Sequence, residues 1–338
     1  MGRGSPTHTM PVTRTILYVD DEPALCRAFE RALRGPNMRI VTTTSAPHAV
    51  ELLGSEAFDV VATDYRMPEL NGIEVLREAR QRLPGARRVL VSGRIDGEVE
   101  PHVLAEADVD GVVTKPWSLD ELRRVVRRAA ELAVLTRERD ELRAGRRARD
   151  VRLLLNALEV RDADTARHCK RTARLAAALA ERLGLAGAEL AALVEAALLH
   201  DVGKLGLPDA LLGPRGNDLD ERERAELSRH PFIGARLVED LELPAGALDI
   251  IRQHHERVDG AGYPQRLAGT DIVAGARLLS VVDVYDTLRT DRSYSPARSH
   301  AEAAAELRRV AGSQLDAAMV DVLLAIGETD LDRVRGEI

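Results

Sequence analysis

Histidine and aspartate side chains in the second half of this 338-residue chain have the types and spacing of metal ligands. His200 and Asp201 close an apolar helical run, LVEAALLHD, in which an unpaired carboxylate would be costly to bury. A metal ion removes that cost, because imidazole nitrogen and carboxylate oxygen are both good ligands for first-row metals. Asp201 has two oxygens and can bridge two ions, and Lys204 lies on the same face if the helical turn persists. For an isolated His-Asp pair, a helix terminus capped by Gly203 would be the simpler interpretation.

The pair is accompanied by four further candidate ligands, each next to an apolar helical run: His230, His254, His255 and Asp283. Consecutive helical residues point about 100° apart, so the two adjacent histidines can reach neighbouring ions or two sides of one ion. Zinc-finger chemistry is excluded, because the chain has only two cysteines and they are far apart in sequence. Six ligands of this kind predict a centre that holds at least two cations.

Polar side chains also recur in the first half, at the points where short β-branched runs end. Asp20 and Asp21 follow the first run, Asp64 ends the third, Ser92 follows the fourth and Lys115 ends the fifth. Open α/β sheets build their sites at the carboxyl ends of their strands. Three clustered carboxylates repel one another unless a cation joins them, and Mg²⁺ with oxygen ligands fits. Asp64 could then attack phosphorus, while Lys115 and Ser92 bind the phosphoryl oxygens.

The elements that must position these groups alternate in the first half between β-branched and amphipathic stretches. The apolar runs are TILYVD, RIVTTT, DVVATD, RVLVSG and DGVVTK. The predicted helices between them are PALCRAFERAL, PHAVELLG, GIEVLREARQRL and GEVEPHVLAEA, and a fifth helix begins at Ser118. This pattern predicts an α/β domain with a doubly wound, five-stranded parallel sheet and helices on both faces.

Helical patterns dominate the rest of the chain and predict an all-α domain after residue 150. The stretch from Leu119 to about Leu158 contains no proline and one glycine, which predicts a long connecting helix. Part of it follows a heptad seam, typical of a dimeric linker that carries signal: Leu122, Val125, Ala129, Leu132, Leu135 and Leu142. Arginines at 123–128 and 143–149 could contact nucleic acid, but a solvated helix face interleaved with acids is favoured.

Composition indicates two soluble globular domains, with 45% hydrophobic and 30% charged residues. The net charge of −7 argues against general nucleic-acid binding. The low cysteine count favours a reducing compartment, and no run reaches the roughly 18 apolar residues of a membrane span. The start, MGRGSPTHTM, lacks the apolar core of a signal peptide. We therefore expect a cytoplasmic protein whose residues 1–13 are disordered or belong to a tag.

The polar residues of the first half also match a known pattern. Asp-Asp at 20–21, DYRMPELNG at 64–72, Ser92-Gly93 and Lys115-Pro116 resemble the receiver domain of response regulators. The resemblance implies a flavodoxin-like fold, Mg²⁺ bound near Asp20 and Asp21, Asp64 as phosphoacceptor and a histidine kinase as donor. One position departs from the pattern: Val112 stands where receivers usually carry an aromatic switch residue.

Four blocks of the second half resemble the HD-GYP family, metal-dependent hydrolases of the HD phosphohydrolase superfamily. They are HDVGKLGLPD at 200–209, RHPFIGA at 229–235, HHERVDGAGYP at 254–264 and VVDVYDTLRTDRSY from 281. The resemblance implies two or three bound metals, iron or manganese, and hydrolysis of the phosphodiester bonds of cyclic di-GMP to pGpG or GMP.

The same resemblance implies roles for individual residues. Metal ligands would be His200, Asp201, His230, His254, His255 and Asp283, with Glu159 and His168 as additional ligands. Asp201 and Lys204 would be catalytic, and the substrate would be bound by Lys204, Arg292, Gly262 and Tyr263. Glycines at 260 and 262 would let their loop approach the substrate or a partner.

Some of these roles have alternatives or departures. A solvated helix residue is an equally good interpretation of Glu159, and a helix break near 162–165 is required if it and His168 both bind metal. Ser295 replaces a basic residue usual in the family, and the loop GPRGNDLDERE lacks the usual lysine. Both changes remove positive charge near a dianionic ligand.

These resemblances together predict a response regulator in which phosphorylation of Asp64 controls a cyclic di-GMP phosphodiesterase. The predicted domains are a receiver at 14–132, a helical linker at 133–150 and an HD-GYP domain at 151–338. The alternatives are a catalytically weak cyclic di-GMP receptor or scaffold, and a hydrolase of another cyclic dinucleotide or nucleotide. Candidate partners are a cognate histidine kinase, cyclic di-GMP, diguanylate cyclase (GGDEF) proteins and a second copy through the linker helix. Neither DNA nor a membrane is expected as a partner.

Overall fold

The computed structural model describes residues 13–93, 104–105, 107–212, 219–291 and 296–336. The chain divides into two compact units, Met1–Arg143 and Ala144–Ile338. Each unit has hydrophobic cores of its own. None of the described helices combines the length and the apolar character that a bilayer-spanning segment needs.

The first unit is built on a parallel sheet with the strand order β2-β1-β3-β4-β5. Its strands are β1 Arg14–Val19, β2 Met38–Thr43, β3 Val60–Asp64, β4 Arg87–Ser92 and β5 Gly111–Thr114. The helices that follow the first three strands are α1 Pro23–Leu33, α2 Ala46–Ser55 and α3 Gly72–Arg82. The five-stranded parallel sheet predicted from the sequence is confirmed, while most of the predicted helix GEVEPHVLAEA lies outside the described residues.

The alternation of apolar residues in β1 explains why helices cover both faces of this sheet. Ile16 and Tyr18 are fully buried in one core, and Leu17 and Val19 are fully buried in the other. Because successive side chains of a strand point to opposite faces, a strand that is apolar at every position needs cover on both sides. The continuous run TILYV therefore fixes the doubly wound arrangement.

A single helix, α4 Leu119–Arg161, follows the sheet and extends for 43 residues. Its first turns bury Leu122 and Val126 in the core of the first unit. Further along, Leu135 and Leu142 are exposed over 61% and 74% of their surface. The predicted long connecting helix is confirmed, and part of its apolar seam faces solvent.

The regular secondary structure of the second unit is helical in its described residues, apart from an isolated bridge between Ala311 and Leu315. Its helices are α5 Ala163–Arg182, α6 Gly187–Leu199, α7 Glu221–Leu227, α8 His230–Leu237, α9 Ala247–Gln253, α10 Ala274–Leu288, α11 His300–Val310, α12 Ala317–Leu324 and α13 Glu328–Arg335. Short 3₁₀ helices occupy Val202–Gly206, Asp209–Leu211 and Gly269–Asp271. Alanine and leucine side chains from these helices form one core, as the sequence predicts for an all-α domain.

Candidate phosphoacceptor and metal sites

The carboxyl edge of the parallel sheet brings one lysine and two buried carboxylates together. Lys115 Nζ lies 2.8 Å from Asp20 Oδ2 and 2.7 Å from Asp64 Oδ1. The Tyr18 hydroxyl donates a hydrogen bond to Asp20 Oδ2 at 2.5 Å, which fixes the orientation of that carboxylate. Burial raises the pKa of Asp64 against the opposing effect of Lys115. The cluster is therefore a compact group of oxygen ligands with one cation beside it.

The two other residues predicted for this site lie at the same edge. Asp21 follows Asp20 directly and is exposed, and Ser92 is buried at the end of β4. Strand pairing places Ser92 opposite Thr114, one residue before Lys115. The structure thus brings all five predicted residues to one edge, where a hard cation and a phosphoryl group can meet oxygen ligands and an ammonium group.

In the helical unit, a close backbone contact holds together the segments that carry Asp201 and His230. A Cβ atom added at Gly203 would lie 1.9 Å from the carbonyl oxygen of His230 and 2.5 Å from the backbone nitrogen of Gly234. Only glycine allows the turn after Asp201 to approach α8 so closely. Asp201 Oδ1 consequently lies 3.3 Å from His230 Nε2. Gly203 is thus a packing requirement of the site. It does not cap α6, whose C-cap is His200, but lies within the 3₁₀ helix Val202–Gly206.

Three histidines of the cluster are oriented by the same local hydrogen bond. In His200, His230 and His254, ring atom Nδ1 lies 2.7–2.8 Å from the carbonyl oxygen three residues earlier. A carbonyl oxygen can only accept, so Nδ1 must carry the hydrogen. The neutral imidazole then presents an Nε2 lone pair, and each ring has the tautomer and orientation of a metal ligand.

The Nε2 lone pairs of these histidines lie in unfavourable positions that a bound cation would stabilise. His230 Nε2 and His254 Nε2 are 3.3 Å apart, although both are acceptors in the neutral rings. His200 Nε2 is buried and has no hydrogen-bond partner among the described residues. Buried acceptors without donors are unfavourable, and a metal ion supplies what they lack. The donor set therefore fits a metal centre.

The candidate ligands form two groups. Within each group, the ligand atoms lie within 4.8 Å of one another. One group is Asp201, His230, His254 and His255; the other is His168, His200 and Asp283. Asp201 faces both, because Oδ1 lies near His230 and Oδ2 lies 3.6 Å from His200 Nε2. The arrangement therefore has room for two ions with Asp201 between them. The two adjacent histidines share one group, and α9 ends at Gln253 just before them.

Burial favours the neutral, metal-binding form of three of the candidate ligand histidines. It lowers the pKa of His230 to about 3 and that of His255 to about 4. Burial among the other histidines holds the pKa of His254 well below its ordinary value. His200 differs, because burial lowers its pKa but the neighbouring Cys169 and Asp201 outweigh burial and raise it to about 9, so this ring must lose a proton when it binds a cation. For Asp201 burial acts in the opposite direction, but Lys204 and the neighbouring histidines outweigh it and hold the pKa well below its ordinary value. Neutral imidazoles and an ionised carboxylate are the forms that bind cations.

His168 is held between two aspartates of α10. Its Nε2 lies 3.0 Å from Asp283 Oδ1, and its Nδ1 lies 2.7 Å from Asp286 Oδ2. Burial lowers the pKa of His168, but its hydrogen bonds to both carboxylates outweigh burial and raise the pKa to about 9. Asp286 also accepts hydrogen bonds from Arg171 Nε at 2.9 Å and Arg335 Nε at 3.0 Å.

The sequence reasoning missed Asp286 and the two arginines that hold it. Asp286 follows Asp283 by three residues in VVDVYDTL, so both acids occupy one face of an otherwise apolar helix. A second acid at that spacing in a buried helix was the available signal. The partners Arg171 and Arg335 lie 115 and 49 residues away, and no sequence pattern links them to it.

Glu159 is not brought into either group of ligands. The side chain is 44% exposed, and Oε2 accepts from Lys170 Nζ at 2.7 Å. The chain does break at Asp162, whose side chain caps α5, but the break leaves Glu159 near the end of α4 and pointing to solvent. The structure thus favours the solvated interpretation of this residue over metal binding.

The structure gives a reason for Gly262 in the glycine-rich loop other than the predicted approach of a substrate or partner. A Cβ atom there would lie 2.4 Å from the backbone nitrogen of Arg257 and 2.6 Å from Cα of Glu256. Gly260 adopts a φ of +76°, a conformation that side chains disfavour. The two glycines are therefore required by the folding of the loop on itself, which is sufficient reason for them without an approaching substrate or partner.

The folded loop places an aromatic ring beside the ligand groups. Buried Glu256 anchors the loop by accepting hydrogen bonds from the backbone N–H groups of Gln265 at 2.6 Å and Leu267 at 3.0 Å. The ring centroid of Tyr263 lies 4.9 Å from that of His255. Tyr263 therefore forms part of the wall next to the group that contains Asp201.

Three of the features noted in the sequence cannot be placed. Arg292, predicted to bind substrate, and Ser295 lie outside the described residues. The first six residues of the loop GPRGNDLDERE, 213–218, lie outside them as well.

Comparisons with known proteins agree with this two-part organisation. The chain matches the family models "Response regulator receiver domain" over residues 16–127 and "HD domain" over residues 152–319. The cyclic di-GMP phosphodiesterase response regulator RpfG of Xanthomonas campestris pv. campestris (strain 8004) is 31% identical over 359 residues, which cover 99% of this chain and 93% of that protein. A cyclic di-GMP phosphodiesterase of Thermotoga maritima is 28% identical over 346 residues, covering 96% and 93%.

A third relative matches the helical half alone. The 3'3'-cGAMP-specific phosphodiesterase 2 of Vibrio cholerae serotype O1 is 36% identical over 173 residues, which cover 51% of this chain and 33% of that protein. The full-length similarity to RpfG and the two matched domains agree in order and extent. The chain therefore belongs to the family of response regulators that join a receiver domain to an HD domain of the cyclic di-GMP phosphodiesterase type.

Proposed function

We propose that the helical unit hydrolyses a phosphodiester bond of cyclic di-GMP and that phosphorylation of Asp64 in the receiver controls this activity. The observation that carries the proposal is the convergence of ligands from distant parts of the chain into two adjoining groups, with Asp201 of the first group facing His200 of the second. The activity of the relatives named above supports the choice of substrate.

The two ligand groups would each hold one divalent ion. Asp201, His230, His254 and His255 would bind the first, and His168, His200 and Asp283 would bind the second. Mixed imidazole and carboxylate ligands suit iron or manganese. When bound, such ions lower the pKa of water and neutralise charge on phosphoryl oxygens.

Lys204 would stabilise the charge that develops on the phosphoryl group. Its Nζ lies 2.7 Å from Asp201 Oδ2, next to both ligand groups. Burial lowers the pKa of Lys204, but the Asp201 carboxylate outweighs burial and raises it, so the ammonium group stays charged. A fixed cation in a buried site acts on developing charge far more strongly than one in water. The loop of Gly262 and Tyr263 would form the adjoining wall against which the nucleotide lies.

In the receiver, Asp64 would accept a phosphoryl group from a histidine kinase. Mg²⁺ would be bound by Asp20, Asp21 and Asp64, and Lys115 and Ser92 would bind the phosphoryl oxygens. The lysine already contacts the acceptor carboxylate at 2.7 Å, so little reorganisation is needed to neutralise the new charge. The protein would act in the cytoplasm, where such kinases deliver their signal, and diguanylate cyclase (GGDEF) proteins would be a second class of partner.

The exposed seam of α4 would pair two copies of the chain. Leu132, Leu135 and Leu142 are 41%, 61% and 74% exposed and recur at spacings of three and seven residues. Leucines at these spacings are the positions that meet in a two-stranded coiled coil. The helical linker proposed at 133–150, between a receiver at 14–132 and an HD-GYP domain at 151–338, would then carry the signal in a dimer.

Turnover of cyclic di-GMP by the anaerobically purified protein with Mn²⁺ or Fe²⁺ tests the proposal. We expect pGpG or GMP as product, and we expect His230→Gln to abolish turnover. His300→Gln is the matched control, because His300 contacts the hydroxyl of Tyr285 at 3.0 Å and is not in either ligand group. A fully metallated wild-type protein that gives no product would contradict the proposal.

A second substrate deserves the same assay, because the helical half is also similar to a 3'3'-cGAMP-specific phosphodiesterase. Parallel reactions with cyclic di-GMP and 3'3'-cGAMP would separate the two. Faster turnover of 3'3'-cGAMP would replace cyclic di-GMP as the assigned substrate while keeping the reaction. Tight binding of cyclic di-GMP by calorimetry without any turnover would instead identify a receptor.

A further inference from the structure

Cys169 lies at the metal centre although no motif singles it out. It follows His168 on α5 and is fully buried. Its Sγ atom, one ring nitrogen of His200 and one carboxylate oxygen of Asp201 all lie within 4.8 Å of one another. The thiol therefore adjoins two residues that belong to the two different ligand groups.

A second observation indicates that this space suits a cation. His200 Nε2 is buried without a hydrogen-bond partner among the described residues, and the ring cannot turn this lone pair away without breaking the Nδ1 hydrogen bond to the Ala197 carbonyl at 2.8 Å. The same Nε2 faces Asp201 Oδ2 at 3.6 Å. A lone pair, a carboxylate oxygen and a sulfur atom thus surround one position.

The other cysteine of the chain shows what a structural thiol looks like here. Cys26 is also buried, but its Sγ donates to the carbonyl oxygens of Asp20 at 3.3 Å and Thr43 at 3.7 Å. Buried cysteines commonly serve as small apolar residues of this kind. Cys169 differs because its sulfur lies next to the imidazole of His200 and the carboxylate of Asp201, both candidate metal ligands.

We propose that Cys169 is a sulfur ligand of the second ion, the one that His200 would hold with His168 and Asp283, on the side that Asp201 faces. The inference rests on the metal centre proposed above and adds a donor to it. On binding, the S–H bond breaks, a bond from sulfur to the metal forms, and the proton passes to the buffer. Because thiolate is a soft ligand, the centre discriminates against Mn²⁺ in favour of Zn²⁺ or Fe²⁺ more strongly than nitrogen and oxygen ligands alone would.

Cobalt substitution tests this assignment without relying on activity. The metal-free protein is titrated with Co²⁺, which gives visible d–d bands with any of these ligands and a near-ultraviolet charge-transfer band only with bound sulfur. We expect both bands in the wild type and in Cys26→Ser, the matched control. In Cys169→Ser we expect the charge-transfer band to be lost and the d–d bands to remain.

The possible failures are distinguishable. Wild-type protein that shows d–d bands without the charge-transfer band overturns the role of Cys169 and leaves the metal centre intact. Wild-type protein that develops neither band overturns the metal centre itself. Should Cys169→Ser not fold, X-ray absorption of the cobalt-loaded wild type decides the matter: a sulfur neighbour supports the assignment, and nitrogen and oxygen neighbours alone overturn it.

Discussion

Asp286→Asn would remove the charge from the buried carboxylate that holds His168 in place. In the wild type this carboxylate accepts hydrogen bonds from His168 Nδ1 at 2.7 Å, Arg171 Nε at 2.9 Å and Arg335 Nε at 3.0 Å. Asparagine has the same shape but only one acceptor oxygen. Its amide nitrogen would face an N–H donor of the histidine or of an arginine, and the guanidinium groups of buried Arg335 and partly buried Arg171 would lose their counter-charge.

The size of the effect follows from the burial of this network. The side chains of Asp286 and Arg335 are both 0% exposed. Removing one partner of a buried ion pair costs about 3–5 kcal/mol, so we expect the free energy of unfolding of the metal-free protein to fall by that amount. The loss of a partner that orients a metal ligand typically weakens metal binding by about 10–100-fold. We therefore expect Asp286→Asn to show both a lower free energy of unfolding and a weaker affinity for metal.

Urea unfolding in the presence of a chelator measures the first effect, and competition with a chromophoric chelator measures the second. Asp332→Asn is the control, because Asp332 pairs with Arg289 at 2.8 Å in a partly exposed setting. We expect this control to lose about 1 kcal/mol at most and to keep its metal affinity. If Asp286→Asn binds metal as tightly as Asp332→Asn does, Asp286 does not position His168 as a ligand.

Three further perturbations have defined outcomes. Asp64→Asn should abolish labelling by acetyl phosphate, whereas Asp59→Asn, at the opposite end of β3, should keep it; labelling of the first variant would contradict the phosphoacceptor assignment. The folded-state pKa of His168 is raised to about 9, so its charge stabilises the metal-free protein fully below pH ~6.5 and this contribution, on the order of 3 kcal/mol, is lost as the pH rises through 9. The melting temperature of the wild type in chelator should fall over that pH range, and the fall should be smaller in His168→Gln. If the melting temperature falls equally with pH in both proteins, the raised pKa of His168 is refuted. Gly262→Ala should destabilise the protein by about 1–3 kcal/mol through overpacking, while Gly145→Ala, in a helix with no atom within 4 Å of the new Cβ, should stabilise it by up to about 1 kcal/mol.

The sequence was sufficient for the architecture because its local patterns and its tertiary structure agree. The five β-branched runs became the strands of the parallel sheet, since a run that is buried at every position, such as ILYV at 16–19, must be covered on both faces. The polar residue after each run then lies at the same edge of the sheet by topology alone. The approach of Lys115 to Asp20 and Asp64 follows from this arrangement.

The metal groups were predictable as a set of residues, but their supporting contacts were not. A histidine or acid at the end of an apolar helix is visible in sequence, as at His200 and Asp201. The partner of such a group is visible only when it is close in sequence. Arg171 and Arg335 reach Asp286 through the packing of three helices, which no local pattern records.

At two residues the structure shows a contact that the motif match did not predict. Gly262 was expected to make room for a substrate or partner, but the added Cβ would collide with the loop's own backbone. Glu159 was a candidate ligand by position, but Lys170 pairs with it at the surface. In both cases the decisive contact is made with a neighbouring segment whose direction depends on a turn or helix break.

Anomalous diffraction from crystals of anaerobically purified protein, recorded at the absorption edge of the metal found by elemental analysis, would locate the metal ions directly. We expect two peaks in each chain, one among Asp201, His230, His254 and His255 and one beside His168, His200 and Asp283. Crystals that give no peak at either position, even after soaking in Mn²⁺ or Fe²⁺, would contradict the proposed metal centre.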